Sequence, residues 1–278
     1  MRNAARLQRL TDLREQIAAI EKRPLLADGV ALLGKGDDEQ SDWQALLKAP
    51  AGLLQEIYAD DLRDSTASFG FALGLARQLI TEARPAVLFL QLTHEAQETG
   101  LPYALGLRHF GFDPERLIMG RMANPAELCW AIEEAIACRA VAGVVAEVLG
   151  TPKVLDFTAS RRLSLRAASG GASVFMLRYG LEREATAARL RWRIAPTPSR
   201  PPPFDDQAPG DPRWQVTLEK GRLGKRTAET DVSMIWGWSE NEFELEQHRP
   251  EPTRRAFYGA PVFGTSSSAL GYGLSKAG

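Results

Sequence analysis

The stretch GLLQEIY at 52–58, followed by ADDLRDSTA at 59–67 and SFGFALGLARQLI at 68–80, decides the fold of this chain. The first seven residues are mainly apolar and predict a strand. The next nine are mostly polar and predict a turn. The last thirteen repeat apolar side chains at helical spacing, at Phe69, Ala72, Leu73, Ala76 and Leu79. We therefore predict a strand, a turn and a helix in succession.

The turn of this unit lies where nucleotide-binding proteins carry their phosphate loop, but its residues are unsuited to that ligand. A phosphate loop offers glycines, a lysine for the β- and γ-phosphate oxygens and a hydroxyl for Mg²⁺. Residues 59–67 contain no glycine and no lysine, and their aspartates repel a triphosphate; the degenerate loop comprises Asp60, Asp61, Arg63, Asp64, Ser65 and Thr66. Two interpretations stay open: a scaffold shaped like an ATPase that has lost ATP, and an ordinary strand–helix unit.

Strands and helices continue to alternate up to about residue 178. Further strands are predicted at 86–92, 116–121, 142–149 and 172–177, and helices at 102–109, 124–139 and 158–169. Apolar strands separated by helices indicate a parallel sheet covered on both faces. Later strands are joined by turns and predict an antiparallel extension, at 189–194, 214–220 and 229–238. The predicted fold is α/β, a mainly parallel sheet flanked by helices with antiparallel strands at its C-terminal edge.

Three regions are predicted along the chain. Residues 1–51 form an amphipathic helix and a linker, 52–238 the core, and 239–278 a flexible tail rich in Pro, Ser and Gly. The helix has Leu7, Leu10, Ile17 and Ile20 near one face, which makes these residues candidates for binding a partner. Packing on the chain's own core is an equal alternative.

Composition favours a reduced, cytoplasmic, globular protein. The 278 residues are 44% hydrophobic and 25% charged, and no apolar run is long enough to cross a membrane. The N-terminus predicts no secretory signal. Cys129 and Cys138 are nine residues apart on one predicted helix, which suits neither a zinc site nor a disulfide framework. We predict neither a metal nor a cofactor.

Charge is distributed unevenly along the chain. Residues 153–226 contain 15 Lys/Arg and 7 Asp/Glu, although the whole chain has a net charge of −1. A basic segment of this kind indicates either a polyanionic partner or a solvated surface. On one strand Arg189, Arg191 and Arg193 alternate, so they share one side of the sheet while Trp192 points into the core. The candidate DNA-contacting residues are Arg161, Arg162, Arg166, Arg189, Arg191, Arg193, Lys220, Arg222, Lys225 and Arg226.

Residues 52 to about 238 resemble the core of RecA-type recombinases. Residues 54–58 resemble the strand that enters the RecA phosphate loop, and 144–147 resemble the Walker B strand, with Ala146 or Glu147 in place of its Asp. Thr93 stands where the catalytic Glu of that family is expected, and Arg178 where its nucleotide-sensing Gln is expected. The resemblance therefore implies an ATPase frame with several parts changed at once.

A RecA-like core without its phosphate loop resembles the ImuA proteins, accessory factors of inducible, error-prone DNA synthesis. Local similarity lies at 155–165, 191–199 and 216–225. The resemblance implies a non-catalytic role in SOS mutagenesis with an ImuB-like polymerase homologue and an error-prone C-family DNA polymerase. DNA, RecA and a second copy of the chain are further candidate partners. Two alternatives are an unusual DNA-dependent ATPase or recombinase, and a module that binds only proteins.

Overall fold

A nine-stranded mixed sheet forms the centre of the protein, seen in a computed structural model that describes residues 39–202, 204–205, 208–221 and 231–246. The strands lie in the order β3-β2-β4-β5-β1-β6-β7-β8-β9. All pairs from β3 to β6 are parallel, and those from β6 to β9 are antiparallel. Their bounds are β1 Leu54–Ala59, β2 Ala86–Leu92, β3 Leu117–Met122, β4 Val141–Glu147, β5 Ser173–Tyr179, β6 Leu190–Thr197, β7 Arg213–Lys220, β8 Asp231–Gly237 and β9 Glu242–Leu245. The predicted fold class is confirmed.

Helices cover both faces of this sheet. Their bounds are α1 Glu39–Leu47, α2 Ser65–Arg77, α3 Ala96–Thr99, α4 Ala104–His109, α5 Pro125–Ala137 and α6 Phe157–Gly170. One core lies between the sheet and α1 and α2, and includes Phe71, Trp192 and Trp236. A second core lies on the opposite face beneath α5 and α6 and includes Leu128 and Leu163. The helices among the described residues are too short or too polar to cross a bilayer.

Short polar signals fix where the long helices begin. The Asn124 side chain accepts hydrogen bonds from the backbone N–H groups of Ala126 and Glu127, and Glu127 accepts one from Ala123 N, so the predicted start of α5 is confirmed. The Asp156 side chain accepts from Ala159 N and begins α6. Helix α2 begins at Ser65, three residues earlier than predicted, because a 3₁₀ turn at Leu62–Asp64 leads directly into it.

Two described segments lie outside the predicted core of 52–238. Helix α1 falls in the predicted linker, yet Trp43 is fully buried against the core. Strand β9 falls in the predicted tail, yet it pairs with β8 and buries Phe243. Both segments are largely polar, so composition hides the single aromatic side chain that anchors each of them.

Helix α2 approaches β8 and β9 closely at a glycine. A Cβ atom added at Gly74 would lie 2.6 Å from Phe243 Cζ and 2.7 Å from Trp236 Cζ3. At Gly70, one turn earlier on the same helix, the nearest atom would be Trp214 Cζ2 at 3.6 Å, an ordinary contact. Glycine is therefore required for packing at position 74 and not at position 70.

We predict that Gly74→Ala lowers the free energy of unfolding by about 1–2 kcal/mol, because overpacking outweighs the gain in helix propensity. Gly70→Ala is the control, and we expect it to be neutral or to stabilise by up to about 1 kcal/mol. Urea unfolding followed by circular dichroism measures both. Equal effects at the two positions would show that α2 does not contact β8 and β9 in this way.

Candidate functional site

An ion-pair network occupies the turn where a phosphate loop is expected. Arg193 Nε donates to both oxygens of Asp60, at 3.1 and 2.9 Å, and Arg183 Nη2 donates to Asp60 Oδ1 at 3.3 Å. The hydrogen bond from Arg193 is the main cause that lowers the pKa of Asp60. Asp61 accepts from Arg63 N and orders the 3₁₀ turn. The turn thus binds cations of its own chain through a carboxylate.

The second ion pair of the network is buried between β1 and β6. Glu56 and Arg191 are neighbours across the two strands. Arg191 Nη2 lies 2.8 Å from Glu56 Oε2, and the two side chains are only 11% and 4% exposed. Arg191 also donates to the carbonyl of Glu184, and Thr186 Oγ1 donates to Glu56 at 2.8 Å. This arginine is therefore a structural residue, held through Nε and Nη2 by groups of its own chain.

Tyr58 and Arg183 complete the network. The Arg183 guanidinium lies 4.1 Å from the centre of the buried Tyr58 ring, and its Nε donates to Glu219 Oε2 at 2.8 Å. Burial is the main cause that raises the pKa of Tyr58, so the phenol stays protonated. Three arginines (183, 191 and 193) face three carboxylates (56, 60 and 219), which leaves the network electrically neutral.

The other two positions expected to serve an ATPase are also engaged within the chain. Thr93 Oγ1 donates to the carbonyl of Met122 at 3.1 Å. Arg178 is buried and donates to Gly150 O at 3.1 Å and to Glu184 Oε2 at 2.9 Å. The arginine thereby ties together the loops that follow β4 and β5.

Glu147, at the end of β4, is a buried carboxylate that accepts three side-chain hydrogen bonds. It accepts from Gln91 Nε2 at 2.6 Å, Thr99 Oγ1 at 2.7 Å and Tyr179 Oη at 2.5 Å. Burial, with Glu147 nearby, strongly raises the pKa of Tyr179, so the phenol remains a donor. Three donors thus occupy most of the lone pairs through which a carboxylate would otherwise hold a metal or a water molecule.

A cavity of about 720 Å³ lies beside the start of α2. Most of its lining is apolar or aromatic, with Gln91 and Glu147 among the polar groups; the aromatic residues are Phe69, Phe89, Tyr103, Phe110 and Trp214. Arginine enters the lining at Arg63 and Arg213, and no lysine does among the described residues. Its volume lies within the range of small-molecule sites, but its lining suits an apolar or aromatic group better than a triphosphate.

The structure separates the remaining predicted cations into different environments. Arg162 Nε donates to Glu133 Oε1 at 2.5 Å and Arg166 Nη1 lies 3.1 Å from Glu133 Oε2, whereas Arg161 is exposed on α6. Lys220 donates to Thr186 O at 2.8 Å, and burial is the main cause that lowers its pKa. The candidates that lie outside the described residues are Leu7, Leu10, Ile17, Ile20, Arg222, Lys225 and Arg226.

Sequence reasoning missed the carboxylates that neutralise the basic segment. Glu56, Asp60 and Glu133 all lie outside residues 153–226, so a charge count along the chain cannot pair them with their arginines. The alternation on β6 was informative: Trp192 is buried, and Arg191 and Arg193 point to the other side. A matching alternation of Glu56 and Tyr58 on β1, continued by Asp60 just after it, was the signal that could have revealed the network.

Within the ranges the structure describes, no three His, Cys, Asp or Glu side chains are grouped so as to hold a metal ion. Cys129 is buried and Cys138 exposed, and both are free thiols. Burial is the main cause that raises the pKa of Cys129.

We predict that Arg191→Gln lowers the free energy of unfolding by about 3 kcal/mol, because it leaves the carboxylate of Glu56 buried without its partner. The double variant Glu56→Gln/Arg191→Gln should lose less than the sum of the two single variants, since it removes both charges. Arg189→Gln, at the residue directly before β6, is the matched control. Urea unfolding measures all four, and strict additivity would contradict the buried pair.

No protein-family model matches the chain. Two curated relatives, each named Protein ImuA, come from Caulobacter vibrioides strains NA1000/CB15N and ATCC 19089/CIP 103742/CB 15. Each is 37% identical over 188 residues, which cover 63% of this chain and 72% of the relative. At this identity and coverage, the chain belongs to the ImuA family.

Proposed function

We propose that this chain is a non-catalytic, RecA-like accessory protein of SOS-induced, error-prone translesion DNA synthesis. It acts in the cytoplasm with an ImuB-like polymerase homologue and an error-prone C-family DNA polymerase. Membership of the ImuA family supports the pathway. The observation that supports the non-catalytic role is the pairing of Asp60 with Arg193 and Arg183 within the turn that the RecA resemblance assigns to the phosphate loop.

The sheet order supports the RecA-like part of the proposal. The strands whose sequences resemble the ATPase strands are β1, β2, β4 and β5, and they form one block of neighbouring parallel strands. Parallel strands end at the same edge, where α/β proteins bind their ligands. Thr93, Glu147 and Arg178 accordingly lie at or just after the carboxyl ends of their strands. In this chain those positions serve internal hydrogen bonds.

Removal of the hydroxyls of Ser65 and Thr66 provides a test that distinguishes a scaffold from an ATPase. Both residues line the cavity at the start of α2 and are the remaining groups of the degenerate loop suited to Mg²⁺. We predict that Ser65→Ala/Thr66→Ala leaves damage-induced mutation at the wild-type frequency in a strain that lacks its own copy of the gene. The measurement is the frequency of resistant colonies after ultraviolet irradiation.

Two controls frame this experiment. An empty vector sets the frequency without the protein, and immunoblotting shows that wild type and variant accumulate equally. Loss of mutagenesis in the double-alanine variant, together with stoichiometric ATP binding and DNA-stimulated hydrolysis by the purified wild type, would establish the ATPase alternative. Wild type that fails to raise mutation above the empty vector would refute the proposed pathway.

The proposed accessory role includes contact with DNA through a few basic residues. Arg191 and Arg193 are engaged with Glu56 and Asp60, so charge reversal there would place like charges side by side and damage the fold. Residues better suited to contact phosphates are Arg189 and, by sequence, the basic cluster Arg222, Lys225 and Arg226.

We predict that reversal of this cluster to Glu weakens DNA binding and makes its salt dependence shallower. The slope of log K against log salt changes by about 0.9 for each duplex phosphate contact that is lost. Arg108→Glu/Arg116→Glu/Arg121→Glu makes the same change in net charge at exposed positions elsewhere and is the matched control. Fluorescence anisotropy over a salt series measures both. Wild type that does not bind DNA would leave the protein-only alternative.

A further inference from the structure

Helices α5 and α6 expose two large apolar side chains on their outer surface. Trp130 of α5 is 64% exposed and Leu165 of α6 is 62% exposed. Neither contributes to the core beneath, which is formed on α5 by Leu128 and Ile132 and on α6 by Leu163. Large apolar groups that lie together on a surface mark a contact site, whereas scattered ones do not.

The ion pairs between the helices bring α5 and α6 together close to these two residues. Glu133 of α5 binds Arg162 and Arg166 of α6, so the two helices touch at this level. Trp130 precedes Glu133 by three residues, about one helical turn, and Leu165 lies between Arg162 and Arg166, at the level of the ion pairs. Packed helices lie about 8–10 Å apart, so Trp130 and Leu165 are exposed on neighbouring turns of one outer surface, which we call the α5–α6 patch.

Charge is divided between the two helices of this patch. Helix α5 carries the exposed carboxylates of Glu127 and Glu134 and has no basic residue. Helix α6 carries Arg161, Arg162 and Arg166 and has no acidic residue. Arg161 forms no ion pair among the described residues. The patch therefore has an acidic half and a basic half, with one apolar anchor in each.

We propose that this patch, the outer face of α5 and α6, binds a second copy of the chain. A two-fold axis parallel to the helices, along the groove between them, lays α5 of one copy on α6 of the other. Glu134 then faces Arg161 of the second copy, and Trp130 packs beside its Leu165. Ala137 and Ala168 on the exposed sides leave room for close approach. A phosphate backbone fits less well, because it would meet the carboxylates of α5.

Sedimentation equilibrium of the full-length chain tests the proposal. We expect a monomer–dimer equilibrium whose dissociation constant rises about 30-fold or more in Trp130→Asp, as for loss of a central anchor. Leu181→Asp, at an apolar residue that is 77% exposed in a loop, is the matched control and should dimerise like wild type. Thermal melting by circular dichroism shows whether each variant is folded.

Charge exchange gives a second test that does not depend on removal of an apolar group. Glu134→Arg and Arg161→Glu should each dimerise poorly alone, because each places like charges together. Their equimolar mixture should form a heterodimer, because both contacts then join opposite charges. A wild type that remains monomeric at about 100 μM overturns the proposal. So does a dimer that Trp130→Asp leaves intact, or a mixture that does not associate.

Discussion

Two ion pairs, Glu56–Arg191 and Asp60–Arg193, reinforce the backbone pairing between β1 and β6. Much of the structure depends on this contact. Strand β1 is the middle strand of the nine-stranded sheet, and β6 beside it joins the parallel strands to the antiparallel ones. On the face that carries these pairs, the loop 180–187 contributes Arg183, Glu184 and Thr186 to the same network. The network thus closes one part of the sheet with charged groups where α5 and α6 close the rest with apolar side chains.

The ion pairs of Asp60 also lie in the turn that the resemblance to RecA-type proteins assigns to a nucleotide. A phosphate loop needs its backbone N–H groups and a lysine directed at the ligand. Here the first residue after β1 is an aspartate that binds Arg193, and Arg183 reaches it from the loop after β5. A triphosphate would have to separate these pairs before it could bind. Removal of one charge from such a cluster is costly, so the fold and a nucleotide site compete for the same side chains.

Most of the fold could be predicted from the sequence, because the apolar strands and amphipathic helices carry their own periodicity. Strands β2, β4 and β5 and helix α5 match their predicted positions within a few residues. What could not be predicted were elements defined by a single long-range contact. Helix α1 depends on Trp43 and strand β9 on Phe243, and neither segment shows a strong pattern of its own. At the site, individual residues were identifiable but their partners were not.

The basic segment 153–226 shows why partners matter more than counts. By composition this segment predicts a surface for a polyanion. Five of its arginines instead bind carboxylates of the same chain: Arg162, Arg166, Arg183, Arg191 and Arg193. Each pair that is formed inside the protein removes a charge from the field that a nucleic acid would sense. Among the described residues of this segment, Lys153, Arg161, Arg189 and Lys220 form no ion pair with a carboxylate, and they lie on different elements. Contact with a nucleic acid would therefore rest on these few cations and on the sequence cluster of Arg222, Lys225 and Arg226, rather than on a continuous groove of arginines.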